Sequence, residues 1–281
     1  MELIRSIPEL KEKIRQVKKS GQTIGLVPTM GYLHQGHLSL VKGARERCDY
    51  VVVSIYVNPI QFGVGEDFEE YPRDLTRDTR FCEEEKVDLI FSPSDRDMYP
   101  KGYATFVDVE RLTLGLCGGS RPGHFRGVTT VVTKLFNLVE PDRAYFGQKD
   151  AQQALALKKM SEDLNMNLEL VIMPTVRESD GLAMSSRNKY LSGKERKAGL
   201  VLFKSLTRAK ELIEEGSRNS RQVISAMEEL IHQEPLAEKE YVEIVDTKEM
   251  ERLEELKGEI LIALAVKVGK TRLIDNVMLE V

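Results

Sequence analysis

The stretch Thr23-Ile24-Gly25-Leu26-Val27-Pro28-Thr29-Met30-Gly31-Tyr32-Leu33-His34-Gln35-Gly36-His37 contains a strand, a loop and the opening of a helix in one continuous run. Its first five residues are short, apolar and rich in β-formers. The middle carries proline and glycine, and helical period takes over from Leu38 to Arg47. A strand that leaves through a polar loop into a helix is half of a βα unit. The same pattern recurs along the first part of the chain.

Further strands are expected at Tyr50–Val57, Val87–Phe91, Arg143–Phe146 and Leu168–Met173, alternating with helices at Ile7–Lys19, Leu75–Glu85, Val128–Leu138 and Ala151–Leu164. This alternation predicts an α/β fold, a Rossmann-like doubly wound parallel sheet. The carboxyl ends of its strands share one edge, where ligands bind. Four polar loops leave from those ends: Pro28–His37, Asn58-Pro59-Ile60-Gln61-Phe62, Gly147-Gln148-Lys149-Asp150 and Pro174-Thr175-Val176-Arg177. After Ser185–Gly193 the character changes. Two charged helices (Lys194–Glu215, Ser220–His232) precede strands Tyr241–Val245, Ile260–Val268 and Thr271–Glu280, the last pair joined by Gly269-Lys270 as a hairpin turn. The expected organisation is a Rossmann-like domain over 1–176 and a smaller C-terminal α+β domain over 177–281.

With 281 residues the chain has ample length for a hydrophobic core, so no covalent staples are required. Lys and Arg number 41 against 45 Asp and Glu, a net charge of −4, and no long basic run is present. That disfavours a nucleic-acid partner and leaves anionic substrates to a few placed cations. The three cysteines, Cys48, Cys82 and Cys117, form no C-x-x-C pair, which suits a reducing compartment and argues against disulfides or a zinc knuckle. The start, Met1–Arg5, leads straight into an amphipathic stretch, and no run approaches the roughly 20 apolar residues of a membrane span. The expectation is a cytoplasmic protein with no signal peptide and no membrane partner.

His34-Gln35-Gly36-His37 opens a helix, so backbone N–H groups and the helix dipole make it an anion site, with two imidazoles on one face as donors to phosphate oxygens. An incidental surface pair or half of a zinc site are the alternatives, although no neighbouring cluster completes a metal set. Lys149 brings a point charge to a phosphate, with Asp150 and Gln153 in the following turns; alternatively Asp150 merely caps the helix and Lys149 is solvated. Met184-Ser185-Ser186-Arg187-Asn188, in a turn-rich and mobile stretch, offers two hydroxyls and a guanidinium to a triphosphate, or is only a linker. Cys117–Gly127 has four glycines, two arginines and a histidine, and reads as a lid over anions or as a plain flexible loop. Gln61 is a neutral amide suited to a substrate hydroxyl or carboxylate, while the Asn58-Pro59 pair before it also reads as turn chemistry. No G-x-x-x-x-G-K-[ST] motif is present, so ordinary γ-phosphate transfer is not indicated.

Together these motifs resemble the nucleotidyltransferase and class I aminoacyl-tRNA synthetase superfamily and, within it, the pantothenate synthetase (pantoate–β-alanine ligase) family. The resemblance runs through Pro28-Thr29-Met30-Gly31, His34–His37, Asn58–Phe62, Tyr71-Pro72-Arg73, Arg121–Phe125, Phe146–Asp150 with Gln153, and Asp180–Asn188, covering nearly the whole chain in order. It implies an ATP-dependent ligase in which pantoate attacks the α-phosphorus of Mg-ATP and β-alanine then displaces AMP. It also implies a homodimer and a C-terminal lid domain. By position it implies that His34 and His37 hold the phosphates, with His37 as donor, and that Met30 presents its backbone to the nucleotide. Gly147, Lys149 and Asp150 would contact ATP, Val176 adenine, and Met184, Ser185, Ser186 and Arg187 would close over the nucleotide. Gln61 and Gln153 would bind pantoate, and Arg121 would help with phosphates. Mg2+ would arrive with ATP, and no residue is assigned to a metal. The sequence shows no activated nucleophile, which fits a substrate carboxylate that is already charged. Rival readings are an adenylyltransferase acting on a phosphorylated acceptor and a non-catalytic nucleotide-binding module. A tRNA-charging role is disfavoured by the short chain and negative charge.

Overall fold

The computed structural model describes all residues from Met1 to Val281. Internal contacts divide the chain into two compact units. The first comprises Met1–Glu110, Arg121–Gln148 and Ala156–Pro174; the second comprises Arg111–Ser120, Lys149–Leu155 and Thr175–Val281. Two segments that precede residue 176, Arg111–Ser120 and Lys149–Leu155, therefore cluster with the later part of the chain.

In the first unit six strands form one parallel sheet: β1 (Glu2–Ile4), β2 (Ile24–Thr29), β3 (Tyr50–Ile55), β4 (Leu89–Phe91), β5 (Arg143–Gly147) and β6 (Glu169–Met173). Their order is β1-β4-β3-β2-β5-β6. The chain winds from β2 through β3 and β4 toward one edge, and then from β5 to β6 toward the other. The switch point lies between β2 and β5, where a doubly wound sheet opens a crevice at its carboxyl edge. The loop that ends in His34 leaves β2 at this point, and Gly147 closes β5 there. Every residue of β3 is buried, as expected for a central strand covered on both faces.

The helices follow the chemistry of their ends. In α1 (Ile7–Lys19) the Ser6 side chain caps the first turn, Lys18 and Lys19 close the last, and Leu10, Ile14 and Val17 form the buried stripe. Next come α2 (Gln35–Arg47), α3 (Leu75–Glu84), α4 (Asp95–Met98), α5 (Leu116–Ser120), α6 (His124–Val139) and α7 (Ala151–Asp163). Two expectations are corrected here. The edge strand β1 escaped the sequence reading because it has only three residues, of which Ile4 alone is buried. The glycine-rich stretch Cys117–Gly127 is not a loop throughout. It holds most of α5 and the first turn of α6, with Gly123 at φ 82° as the N-cap that lets the chain turn into α6.

The second unit carries an antiparallel sheet, β7 (Ala237–Asp246), β8 (Glu259–Val268) and β9 (Thr271–Glu280), in sequential order. Helices α8 (Gly193–Glu214) and α9 (Ser220–His232) cover it. Leu202, Leu206, Met227, Ile231, Ile262 and Leu264 are among the residues of its apolar core. A Ser192–Glu195 capping box starts α8, and Gly269 at φ 57° makes the β8–β9 turn.

The first unit has one very tight contact near the carboxyl edge. A Cβ built at Gly127 would lie 2.4 Å from the Ile60 carbonyl oxygen and 2.6 Å from Gln61 Cα. Both are backbone atoms that cannot swing aside. Gly127→Ala is expected to destabilise the protein by about 1–3 kcal/mol, read as a lower urea midpoint at unchanged slope.

Candidate active site

Helix α2 begins with an unusual cap. Its first turn leaves backbone N–H groups without partners inside the helix, and the histidines supply acceptors. The Gly36 N–H donates to His34 Nδ1 at 3.1 Å, and the His34 N–H donates to His37 Nδ1 at 3.3 Å. This is the reciprocal geometry of a capping box, built from two imidazoles. A neutral imidazole that accepts at Nδ1 carries its proton on Nε2. The backbone therefore sets both rings, whose centroids are 4.0 Å apart, as Nε2–H donors at the positive end of a helix dipole. A pair of neutral donors there suits phosphate.

Gln61 lies in a short 3-10 turn, Pro59–Gln61, after β3, and is 8% exposed. Its amide Nε2 donates to Met30 Sδ at 3.0 Å, and its Oε1 accepts from Asn58 Nδ2 at 3.0 Å. Asn58 also donates to the Gly127 carbonyl at 3.1 Å and accepts from Tyr99 OH at 2.8 Å. The Gln61 backbone is held as well. Arg121 donates from Nη1 to His124 Nε2 at 3.0 Å, so the His124 proton sits on Nδ1 and donates to the Gln61 carbonyl at 2.8 Å. Arg121 itself makes a two-point pair with Glu66, at 2.7 and 2.5 Å. Burial pushes the Glu66 carboxyl up, but the hydrogen bond and charge of Arg121 outweigh it and hold the pKa below the ordinary value.

The other expected residues belong to the second unit. Lys149 Nζ is 3.7 Å from Asp150 Oδ1, and the Lys149 carbonyl accepts from Asn276 Nδ2 at 2.9 Å. Gln153 is partly exposed, whereas its neighbour Gln152 is buried and ties Cys117, Leu112 and Gly115 together. The segment expected to be mobile is hydrogen-bonded along its length. Met184 N–H donates to the Val176 carbonyl, and Glu178 N–H to that of Leu182. Arg177 reaches Asp275 at 2.5 and 2.9 Å, donates to the Gly181 carbonyl, and lies over the Phe203 ring. Ser185 caps a 3-10 turn that contains the buried Ser186 together with Arg187. Asp275 and Asn276, adjacent on β9, thus anchor both the Lys149 backbone and the Val176–Ser186 segment.

A family model for pantoate–β-alanine ligase matches residues 2–278. The chain belongs to the pantoate–β-alanine ligase family. The pantothenate synthetase of Heliobacterium modesticaldum is 62% identical over 281 residues, with both chains fully covered. That of Acetivibrio thermocellus is 58% identical at the same coverage. Among solved structures, the pantothenate synthetase of Thermus thermophilus matches with a TM-score of 0.94 and 45% identity, covering 99% of each chain. The Francisella tularensis pantoate-β-alanine ligase, complexed with βγ ATP and β-alanine, matches at 0.80 and 33%, covering 99% of this chain and 97% of its own.

Within this member of the ligase family, Met30, His34, His37, Gln61, Arg121 and Gly147 fall in the first unit. Lys149, Asp150, Gln153, Val176, Met184, Ser185, Ser186 and Arg187 fall in the second. Sequence reading missed Glu66, Asp78, Asp275 and Asn276, whose bonds reach far along the chain. One signal was present: Asp78 and Cys82 are the buried positions of α3, and an aspartate on a helix's buried stripe calls for a partner.

Glu66 also yields a pH dependence. Its folded-state pKa is depressed, so its ionised form adds stability that is complete above its ordinary value of 4.5 and is lost as pH falls through the depressed one. Urea unfolding from about pH 7 down to about pH 3 should show Glu66→Gln less stable by about 1 kcal/mol at neutral pH. The gap between the two proteins should close on the acid limb.

Proposed function

We propose that the ligase reaction of this chain proceeds through an acyl adenylate, with the two imidazoles of α2 holding the phosphates. The overall conversion is the ATP-dependent joining of pantoate and β-alanine into pantothenate, with release of AMP and pyrophosphate. In the first step a pantoate carboxylate oxygen bonds to the α-phosphorus, and the bond from that phosphorus to the β-phosphate oxygen breaks. In the second the unprotonated amine of β-alanine bonds to the acyl carbon, the carbon–oxygen bond to AMP breaks, and the nitrogen loses a proton to water.

The capped helix start carries this reading. Negative charge moves onto the leaving pyrophosphate in the first step, and preset neutral donors beside a helix N-terminus stabilise it with little reorganisation. Lys149 supplies the positive charge at the α-phosphate, Asp150 reads the ribose, Gly147 allows close backbone approach, and Met30 presents its backbone to the nucleotide. Val176 meets adenine through its N–H, its carbonyl being taken by Met184. Ser185, Ser186 and Arg187 close on the nucleotide with Met184. Gln61 and Gln153 hold pantoate. Arg121, already paired with Glu66, acts by steadying Gln61 through His124 rather than by meeting phosphate.

Mg2+ enters as Mg-ATP. No group of three or more His, Cys, Asp and Glu side chains is gathered in the structure; arriving with ATP, the ion would screen the phosphate charge. The reading also places the chain in the cytoplasm, in keeping with three unpaired cysteines, and makes it a homodimer, which light scattering would test. No helix is long and apolar enough to cross a membrane.

Isotope exchange between pyrophosphate and ATP should require pantoate and proceed without β-alanine. Exchange that needs a phosphorylated alcohol instead would make the chain an adenylyltransferase. Lys149→Ala should lower the pantoate-dependent exchange rate by about 10²–10³ with the urea midpoint retained; an unchanged rate would remove Lys149 from the chemistry.

A further inference from the structure

Between the end of β2 and His34 the backbone takes a shape that needs outside support. Gly31 and Tyr32 both have positive φ, at 83° and 51°. Glycine adopts this region freely, whereas a residue with a Cβ loses about 1–2 kcal/mol there. The support comes from the first turns of α3. The Asp78 carboxylate, 1% exposed, accepts the Tyr32 N–H on Oδ2 at 2.7 Å and the Leu33 N–H on Oδ1 at 2.8 Å. Arg77 donates from Nη2 to the Leu33 carbonyl at 2.8 Å and lies over the Tyr32 ring at 4.7 Å. His34, the N-cap, follows directly.

We propose that Asp78 is a positioning residue for the two histidines: by holding the Tyr32 and Leu33 amides it fixes the left-handed turn into α2, and with it the direction of both Nε2–H donors. This rests on the reading of His34 and His37 as the phosphate-holding pair. Asp78 itself contacts no substrate; it acts through three residues of backbone.

Burial works against the charge of a carboxylate here. Burial raises the Asp78 pKa above the ordinary carboxylate value, with the Leu33 and Tyr32 amides and Arg77 offsetting only part of it. A raised folded-state pKa means that the ionised form costs the fold stability once pH has risen through it. What the carboxylate uniquely supplies is an acceptor for each of two adjacent N–H groups. An isosteric amide offers one acceptor and turns an NH2 toward the other N–H.

Asp78→Asn in the full chain tests this, read by pantoate-dependent pyrophosphate exchange and by 15N spectra of the imidazoles. The exchange kcat should fall about 10²-fold, as for a misplacement of about 1 Å, while the pantoate KM changes much less. The wild-type rings should show a single Nε2–H tautomer and the variant a mixture of Nδ1–H and Nε2–H. Amide hydrogen exchange on the wild type, which needs no variant to fold, should show Tyr32 and Leu33 strongly protected. An unchanged kcat, unchanged tautomers, or rapid exchange at those two amides would each overturn the proposal. So would a joint loss of kcat, KM and urea midpoint with the tautomers intact, since that is plain structural damage. Should the wild type show no pantoate-dependent exchange, the functional reading fails; the spectra and amide protection still judge the role of Asp78.

Discussion

Two hydrogen bonds, from the Gly36 and His34 amides to imidazole Nδ1 atoms, govern what the carboxyl edge of the sheet can do. A helix start normally takes its cap from Ser, Thr, Asp or Asn. Asp would add a negative charge at the positive end of the helix, and Ser would satisfy the helix and present little more. Imidazole caps with one nitrogen and donates with the other. The bond that finishes the helix also selects the tautomer, so the stability of α2 and the chemistry at its end cannot be separated. With each Nδ1 accepting a backbone N–H, the cap adds no negative charge at the positive end of the helix dipole.

The first unit extends the same economy around Gln61. Tyr99, Asn58, Gln61, His124, Arg121 and Glu66 form a chain of polar groups, several of them buried, in which each named atom meets a complementary partner. Burying such groups costs free energy unless every one is paired, so a network of this kind is expensive to build and intolerant of change. Gly127 is part of the arrangement, since only a residue without a Cβ lets α6 approach the Ile60–Gln61 backbone so closely. The second unit divides the task differently. An apolar core under β7–β9 supplies bulk stability, and polar anchoring is concentrated at Asp275 and Asn276 on β9.

How much of this was legible in the sequence depended on the range of the interaction. Helices α1 and α9 and strand β9 begin and end where their own residues say, because caps, apolar period and turn glycine act within a few positions. The H-x-G-H element could be placed at a strand-to-helix junction for the same reason. Strand β1 could not be seen, since three residues carry too little pattern and its order comes from pairing with β4. The helical turns within Cys117–Gly127 were hidden by glycine, which reads as flexibility until a tertiary setting gives it a fixed φ. Arg121 illustrates the hardest case. A guanidinium in a glycine-rich stretch reads as an anion ligand, and only the fold reveals its pairing with a carboxylate 55 positions away in sequence.

The chemistry explains why so much of the structure is devoted to holding neutral groups still. In the proposed reaction a carboxylate attacks phosphorus, which needs no activated nucleophile. What remains for the protein is to align the reactants and to meet charge as it shifts from the α-phosphate toward the leaving group. Alignment is worth several kcal/mol only when the aligning groups are themselves fixed. A flexible lysine can follow charge wherever it goes, but an imaginary line from nucleophile to leaving group has to be defined by groups that do not move. In the reading proposed above, those groups in the first unit are backbone-set imidazoles and a glutamine clamped at both its side chain and its carbonyl. The strained turn at Gly31–Tyr32 belongs to the same logic. A left-handed Tyr32 is unfavourable in isolation, and the hydrogen bonds from its own N–H to Asp78 and from Arg77 to the Leu33 carbonyl offset that cost immediately before the two histidines.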